Sequence, residues 1–147
     1  MCAGVSVYAG LTRAHTRVGD WVLVSGAGGG LGHLGIQYAK AIGARVIAMD
    51  VGSKENFCRG LGADHFIDFE KSGTDEEMSE VNRLVPGGVK VVLCCAGSKR
   101  AYSQAVTFLG VRGTLVCLGV PERQVGERMS LFDLEPVLLD ELNIIGK

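Results

Sequence analysis

The chain has 147 residues, with 16 acidic and 15 basic side chains, a formal charge of −1, 47% apolar residues and 21% charged residues. That balance excludes a disordered or collagen-like chain and offers no electrostatic reason to expect nucleic acid or an anionic membrane as partner. No apolar run reaches the ~18 residues of a membrane span, the first residues lack the pattern of a signal peptide, and one cytoplasmic domain with a real core is expected.

Glycine is the outlier, at 22 residues, roughly double its usual share. Many backbone positions must therefore turn tightly or approach something closely. The five cysteines are odd in number and form no CxxC pair, which argues against a structural zinc site or a redox dithiol. Cys94, Cys95 and Cys117 lie in apolar runs and Cys58 in an expected helix, so all four read as buried, reduced thiols.

Residues 1–20 read as a lead-in helix followed by a turn at Val18-Gly19-Asp20. Trp21 to Val24 is a short apolar strand closed by a glycine cluster, and Leu31 to Ile42 has helical spacing that stops at Gly43. Arg45 to Met49 is the next strand, followed by Asp50. A helix capped by Ser53 is expected to run to about Leu61. His65 to Asp68 is a strand, Thr74 to Leu84 a helix, and Lys90 to Cys94 a continuous apolar strand. Ser98 to Leu109 is expected as helix, Gly113 to Leu118 as strand, Leu131 to Leu142 as helix and Asn143 to Ile145 as the start of a last strand. Strands apolar on both faces that alternate with helices form a parallel sheet covered on both sides. The expected class is therefore α/β, a doubly wound parallel sheet of the Rossmann type with about six strands.

Ser25-Gly26-Ala27-Gly28-Gly29-Gly30-Leu31-Gly32 lies between the first strand and the first helix of this pattern. Such a turn lets the backbone approach a pyrophosphate, and the helix N-terminus offers it free N–H groups and a positive dipole end. The strict GxGxxG spacing is not met, because Leu31 and His33 fall where the third glycine would stand. The run fits GxxGGxG or GxxxGxG instead, and no GK[ST] follows, which argues against a P-loop NTPase. Asp50 follows Gly32 by 18 residues at the end of the second strand. A carboxylate there accepts hydrogen bonds from the adenosine ribose and repels a 2′-phosphate, which favours NAD over NADP. Lys54, four residues on, can sit beside that ribose or point into water, and His33 reads as a surface or packing histidine.

Cys2 to Tyr8, Gly19-Asp20-Trp21-Val22, the run Gly26 to Gly32 with Gln37-Tyr38-Ala39-Lys40, Gly62 to Phe69 and Gly113 to Val116 closely resemble the zinc-dependent medium-chain alcohol dehydrogenases of the yeast and fungal type. The resemblance extends over essentially the whole chain. It implies a lead-in segment at 1–20, carried over from the boundary of a catalytic domain, and an NAD-binding domain at 21–147. It also implies that Cys2 is one of three protein ligands of a catalytic zinc, whose other two ligands lie upstream in the family. By the same resemblance, the backbone of Leu118, Gly119 and Val120 hydrogen-bonds the nicotinamide carboxamide. The parent would pass hydride between an alcohol or aldehyde and NAD as a homo-oligomer paired through its last strand. With one zinc ligand, the isolated chain is expected to hold zinc weakly and to turn over no alcohol. The stretch Pro121 to Arg128, with two Arg and two Glu, departs from the family in composition.

Three readings compete. A short-chain reductase needs Tyr-x-x-x-Lys, and Tyr8, Tyr38 and Tyr102 all lack that lysine. An NADPH-dependent quinone reductase of the same superfamily, and a non-catalytic nucleotide module or methyltransferase, stay open as alternatives.

Overall fold

A computed structural model of the chain describes residues 2–120 and 134–146. The helix α1 (Cys2–Arg13) leads into β1 (Trp21–Ser25), α2 (Gly32–Ile42), β2 (Arg45–Asp50), α3 (Glu55–Gly60) and β3 (His65–Asp68). The second half runs α4 (Thr74–Leu84), β4 (Val89–Cys94), α5 (Lys99–Ala105), β5 (Leu109–Cys117), α6 (Leu134–Leu139) and β6 (Asn143–Gly146). The six strands form one sheet of order β3-β2-β1-β4-β5-β6, and every pairing is parallel. This is the doubly wound order, in which ligands bind beyond the carboxyl ends of the strands where the winding reverses, here between β1 and β4.

The alternation along each strand divides the core. Val22, Val24, Val46, Ala48, Val91 and Leu93 pack on one face with Val7 and Leu11 of α1, Ile36 and Ala39 of α2 and Cys58 of α3. Leu23, Ile47, Met49, Val92, Cys94 and Leu115 pack on the other with Val81 of α4 and Tyr102 and Ala105 of α5. Each fully buried Leu or Ile of this set contributes about 1.5–3 kcal/mol relative to an exposed one. Both faces are thus roofed, which is why the strands read as continuous apolar runs. Gly43 closes α2 at φ 91°, and its N–H bonds the carbonyls of Ala39 and Lys40. That conformation favours glycine.

Register aligns the carboxyl ends. Ser25 pairs with Met49 and with Cys94, Cys94 with Cys117, and Asp50 with Asp68. The glycine turn, Asp50 and the stretch after Cys117 therefore share one edge of the sheet. The C-terminal end of α1 reaches the opposite edge, where Arg13 and Ala14 line a pocket with Asp20, Lys90 and Asn143 at the starts of β1, β4 and β6. Gly10 lies against Val116 and Leu118. So α1 runs antiparallel to the strands, and Cys2, about 12 Å up the helix from Gly10, is exposed at the carboxyl edge.

Three expectations are corrected. Ser53 does not cap a helix: Gly52–Lys54 is a 3-10 turn, and α3 starts at Glu55. The helix expected over Ser98 to Leu109 ends at Ala105, passes through a 3-10 turn at Val106–Phe108, and Leu109 already belongs to β5. The cause is an irregularity opposite Val89 and Val91, which pair with Leu109 and Thr114. Gly110 sits there against Gly88, where any Cβ would overlap backbone, and Arg112 takes φ 59°. The helix expected to run to Leu142 stops at Leu139, followed by Glu141 at φ 51°. Its expected first residues, 131–133, and the stretch Pro121 to Arg128 lie outside the described residues.

Candidate nucleotide site

The glycine turn is held largely by its own backbone. Gly26 and Ala27 N–H donate to the Met49 carbonyl at 3.0 and 3.2 Å, and Gly29 N–H donates to Gly26 O at 3.1 Å. Gly28 N–H donates to Asp50 Oδ2 at 2.7 Å. Among the described residues, the N–H groups of Gly30, Leu31 and Gly32 have no partner. These three donors sit where α2 begins, and they are the groups that a diphosphate can accept. Of the seven turn residues singled out in the sequence, the first four shape the cradle and the last three carry its free donors.

Two close approaches explain why the turn excludes side chains. Gly26 takes φ 72°, and a Cβ on it would lie 3.0 Å from Ala96 N. A Cβ on Gly32 would overlap the Gly26 carbonyl and lie 2.6 Å from Ala27 Cα. Gly35, one turn on, faces Leu93 and Val24, so α2 settles close onto the sheet. His33 Nδ1 donates to Gly29 O at 2.8 Å, which ties the helix start to the turn and leaves this histidine a local, structural role.

Asp50 is buried at 6% exposure. Its Oδ1 accepts Val51 N–H at 2.8 Å and its Oδ2 accepts Gly28 N–H, so each oxygen keeps capacity for one further donor. Lys54 Nζ stands 4.0 Å from Asp50 Oδ2 and donates to Gly28 O at 3.3 Å. The lysine stem occupies the space beside Gly28 that a Cβ would need. Beside Asp50, toward β4, a small pocket of about 70 Å³ is lined by Ser25, Gly26, Met49, Phe69, Ala96 and Arg100, among others. Arg100 lies over the Phe69 ring at 5.8 Å, and its Nη2 donates to the fully buried Glu77 at 3.0 Å. Burial pushes the Glu77 carboxyl up from its ordinary value, against the lowering effect of Arg100 and of the Gln104 hydrogen bond. Neither Phe69, which ends the Gly62 to Phe69 stretch, nor Arg100 was singled out from the sequence as a site residue.

At the carboxyl end of β5, the Leu118 and Gly119 N–H groups both donate to Cys94 O, at 3.0 and 2.9 Å. Gly119 O accepts the Tyr102 hydroxyl. The Leu118 carbonyl and the Val120 N–H have no partner among the described residues and are the groups this stretch can offer a ligand. Val120 itself is exposed.

The described residues do not by themselves form a zinc site. Cys2 stands alone, and among the described residues no group of three His, Cys, Asp or Glu side chains could hold a metal ion. Burial pushes the Cys94 and Cys95 thiols up to about 12, with the neighbouring thiol adding to each. In the chain by itself these buried sulfurs stay protonated. Among the described residues no helix is long and apolar enough to cross a membrane.

A family model described as zinc-binding dehydrogenase matches residues 30–147. Alcohol dehydrogenase 2 of Emericella nidulans is 44% identical over 131 residues, covering 84% of this chain and 36% of that protein. Alcohol dehydrogenase 1 of Caenorhabditis elegans is 42% identical over 147 residues, covering 99% of this chain and 40% of the relative. The chain thus spans well under half the length of the relatives it matches. A crystal structure titled alcohol dehydrogenase zinc-binding domain protein, from Burkholderia ambifaria, superposes with a TM-score of 0.85 at 28% identity, covering 99% of this chain and 38% of that one.

Proposed function

The chain belongs to the zinc-binding dehydrogenase family, and from that premise we propose that it is the NAD-binding domain of a zinc-dependent alcohol dehydrogenase. Residues 21–147 would hold the coenzyme, and residues 1–20 would lead in from the catalytic domain. The observation that carries the reading is the joint placement of Asp50 and the glycine turn. One carboxylate oxygen already holds Gly28 N–H, and the remaining capacity faces the edge where Gly30, Leu31 and Gly32 keep free donors.

Each half of the coenzyme has a partner in this arrangement. The free N–H groups of Gly30 to Gly32 bind the diphosphate, aided by the positive end of α2. Asp50 accepts the ribose hydroxyls, and Lys54 flanks the same sugar. The Leu118 carbonyl and Val120 N–H take the carboxamide of the nicotinamide. When bound, the coenzyme supplies a ring that accepts or returns hydride. Cys2, at the same sheet edge, is the residue of this chain that would contribute to a zinc site completed elsewhere in the parent. Residues 1–147 by themselves bind coenzyme without oxidising alcohol. The parent takes an alcohol or aldehyde as its small-molecule substrate, assembles as a homo-oligomer and works in the cytoplasm, a reducing compartment in keeping with five free cysteines.

Calorimetric titration of the chain with NADH, NADPH and ADP-ribose tests this. Binding of NADH and ADP-ribose with NADPH at least about tenfold weaker is expected, a difference of about 1.4 kcal/mol. Preference for NADPH would support the quinone reductase alternative, and binding of none of the three would overturn the dinucleotide reading.

A further inference from the structure

Tyr102 is the largest fully buried side chain of the molecule's described residues, at 1% exposure. It sits on α5, among Cys94, Leu115 and Cys117. Its hydroxyl leaves that apolar layer at the carboxyl edge of the sheet and donates to the Gly119 carbonyl. The direction is fixed, because a carbonyl can only accept. Burial pushes the Tyr102 hydroxyl up from its ordinary value, so it stays a donor throughout the physiological range.

Gly119 is held from two further directions. Its N–H donates to Cys94 O at 2.9 Å, and a Cβ on it would overlap the Ala96 carbonyl, with Ala96 C at 2.6 Å. With its N–H and C=O both engaged on the protein side, the peptide planes on either side are locked. The Leu118 carbonyl and the Val120 N–H lie on the far sides of those two planes, without a partner among the described residues.

We propose that Tyr102 is a positioning residue for the nicotinamide half of the coenzyme, acting through its hydroxyl bond to Gly119 to orient the Leu118 carbonyl and the Val120 N–H. The proposal rests on the NAD-binding reading and adds to it a division of labour. The glycine turn and Asp50 serve the adenosine diphosphate half, and Tyr102 governs the other half from within the core. A buried phenol placed only for packing would need some acceptor, but not one on the peptide next to these two ligand-facing groups.

The test is calorimetric titration of the chain and its Tyr102→Phe variant with NADH and with ADP-ribose, which lacks the nicotinamide ring. Loss of one buried hydrogen bond should weaken NADH by about fivefold in Tyr102→Phe and leave ADP-ribose within about twofold. Val120→Pro removes the N–H that Tyr102 is proposed to orient, at an exposed residue and without altering α5. It should show the same selective loss of NADH, which keeps the inference testable if the phenylalanine variant is unstable. Equal weakening of both ligands would mean a merely structural role and overturn the proposal, as would unchanged NADH binding in both variants. If the unaltered chain fails to bind even ADP-ribose, the dinucleotide reading itself falls and takes this one with it.

Discussion

The Asp50 carboxylate accepts the Gly28 N–H at 2.7 Å, across 22 residues of sequence, so the ribose-binding acid and the phosphate-binding turn are one hydrogen-bonded unit. Replacing the acid therefore acts twice. Asp50→Asn keeps the size but loses the charge that favours donors and repels a 2′-phosphate. NADH affinity should fall at least about tenfold, and the ratio of NADH to NADPH affinity should fall with it. Stability should drop by about 1.5–3 kcal/mol, because a charge-assisted bond to backbone is weakened in a buried place. Titration of both coenzymes and urea unfolding measure the two effects separately. Unchanged NADH binding would remove Asp50 from the site.

Gly28 and Gly32 differ in what a new methyl group would strike, and the difference separates fold from binding. At Gly32 the obstacle is backbone, the Gly26 carbonyl and Ala27 Cα. Gly32→Ala should cost more than about 3 kcal/mol and leave little folded turn to bind anything. At Gly28 the obstacle is the lysine stem of Lys54, which can swing into water. Gly28→Ala should lose no more than about 1 kcal/mol of stability. It should nevertheless weaken NADH severalfold, since Lys54 is displaced from the ribose side. Thermal unfolding beside titration gives the comparison. Two equally stable variants would contradict the turn geometry.

Much of the sheet was legible because burial on both faces leaves continuous apolar runs, as at Val22-Leu23-Val24 and Val91-Val92-Leu93. The candidate site was legible where local chemistry demands particular residues, such as the glycines of the turn and an acid at the end of β2. What stayed hidden depends on contacts distant in sequence. The early start of β5 follows from Gly110 lying against Gly88, which no periodicity signals. Which turn amides are already occupied is set by where Met49 O and Asp50 Oδ2 stand. Arg100 beside the small pocket is held by Glu77, from another helix, and neither residue looks unusual in its own segment.

Glu77 makes the stability of the chain depend on pH in a specified direction. Burial raises its pKa above the ordinary 4.5 in the folded state, against the lowering effect of Arg100 and Gln104. The folded chain therefore binds this proton more tightly than the unfolded chain. The associated stability is fully present below pH 4.5 and is lost as pH rises through the raised value. Glu77→Gln has no such proton. The stability of the unaltered chain relative to Glu77→Gln should decline as pH rises above 4.5 and then level off. Urea unfolding of both proteins across this range provides the measurement, and a difference that grows in the opposite sense would refute the assignment.

The thiols should divide by place in the fold. Cys2 is exposed, Cys58 and Cys94 are buried, and burial pushes Cys94 and Cys95 up to about 12. Only the thiolate attacks an alkylating reagent, and at pH 8 a thiol of that kind is ionised to roughly one part in ten thousand. Iodoacetamide on the native chain should therefore modify Cys2 within minutes, whereas Cys94 and Cys95 react only after unfolding in urea. Tryptic mass spectrometry resolves the sites. NADH at saturation should slow Cys95 further if the coenzyme covers the turn after β4, since ligand binding reduces the population of opened forms. Rapid labelling of Cys94 in the native chain would mean that the layer between α5 and the sheet is open, and with it the environment that fixes Tyr102 against Gly119.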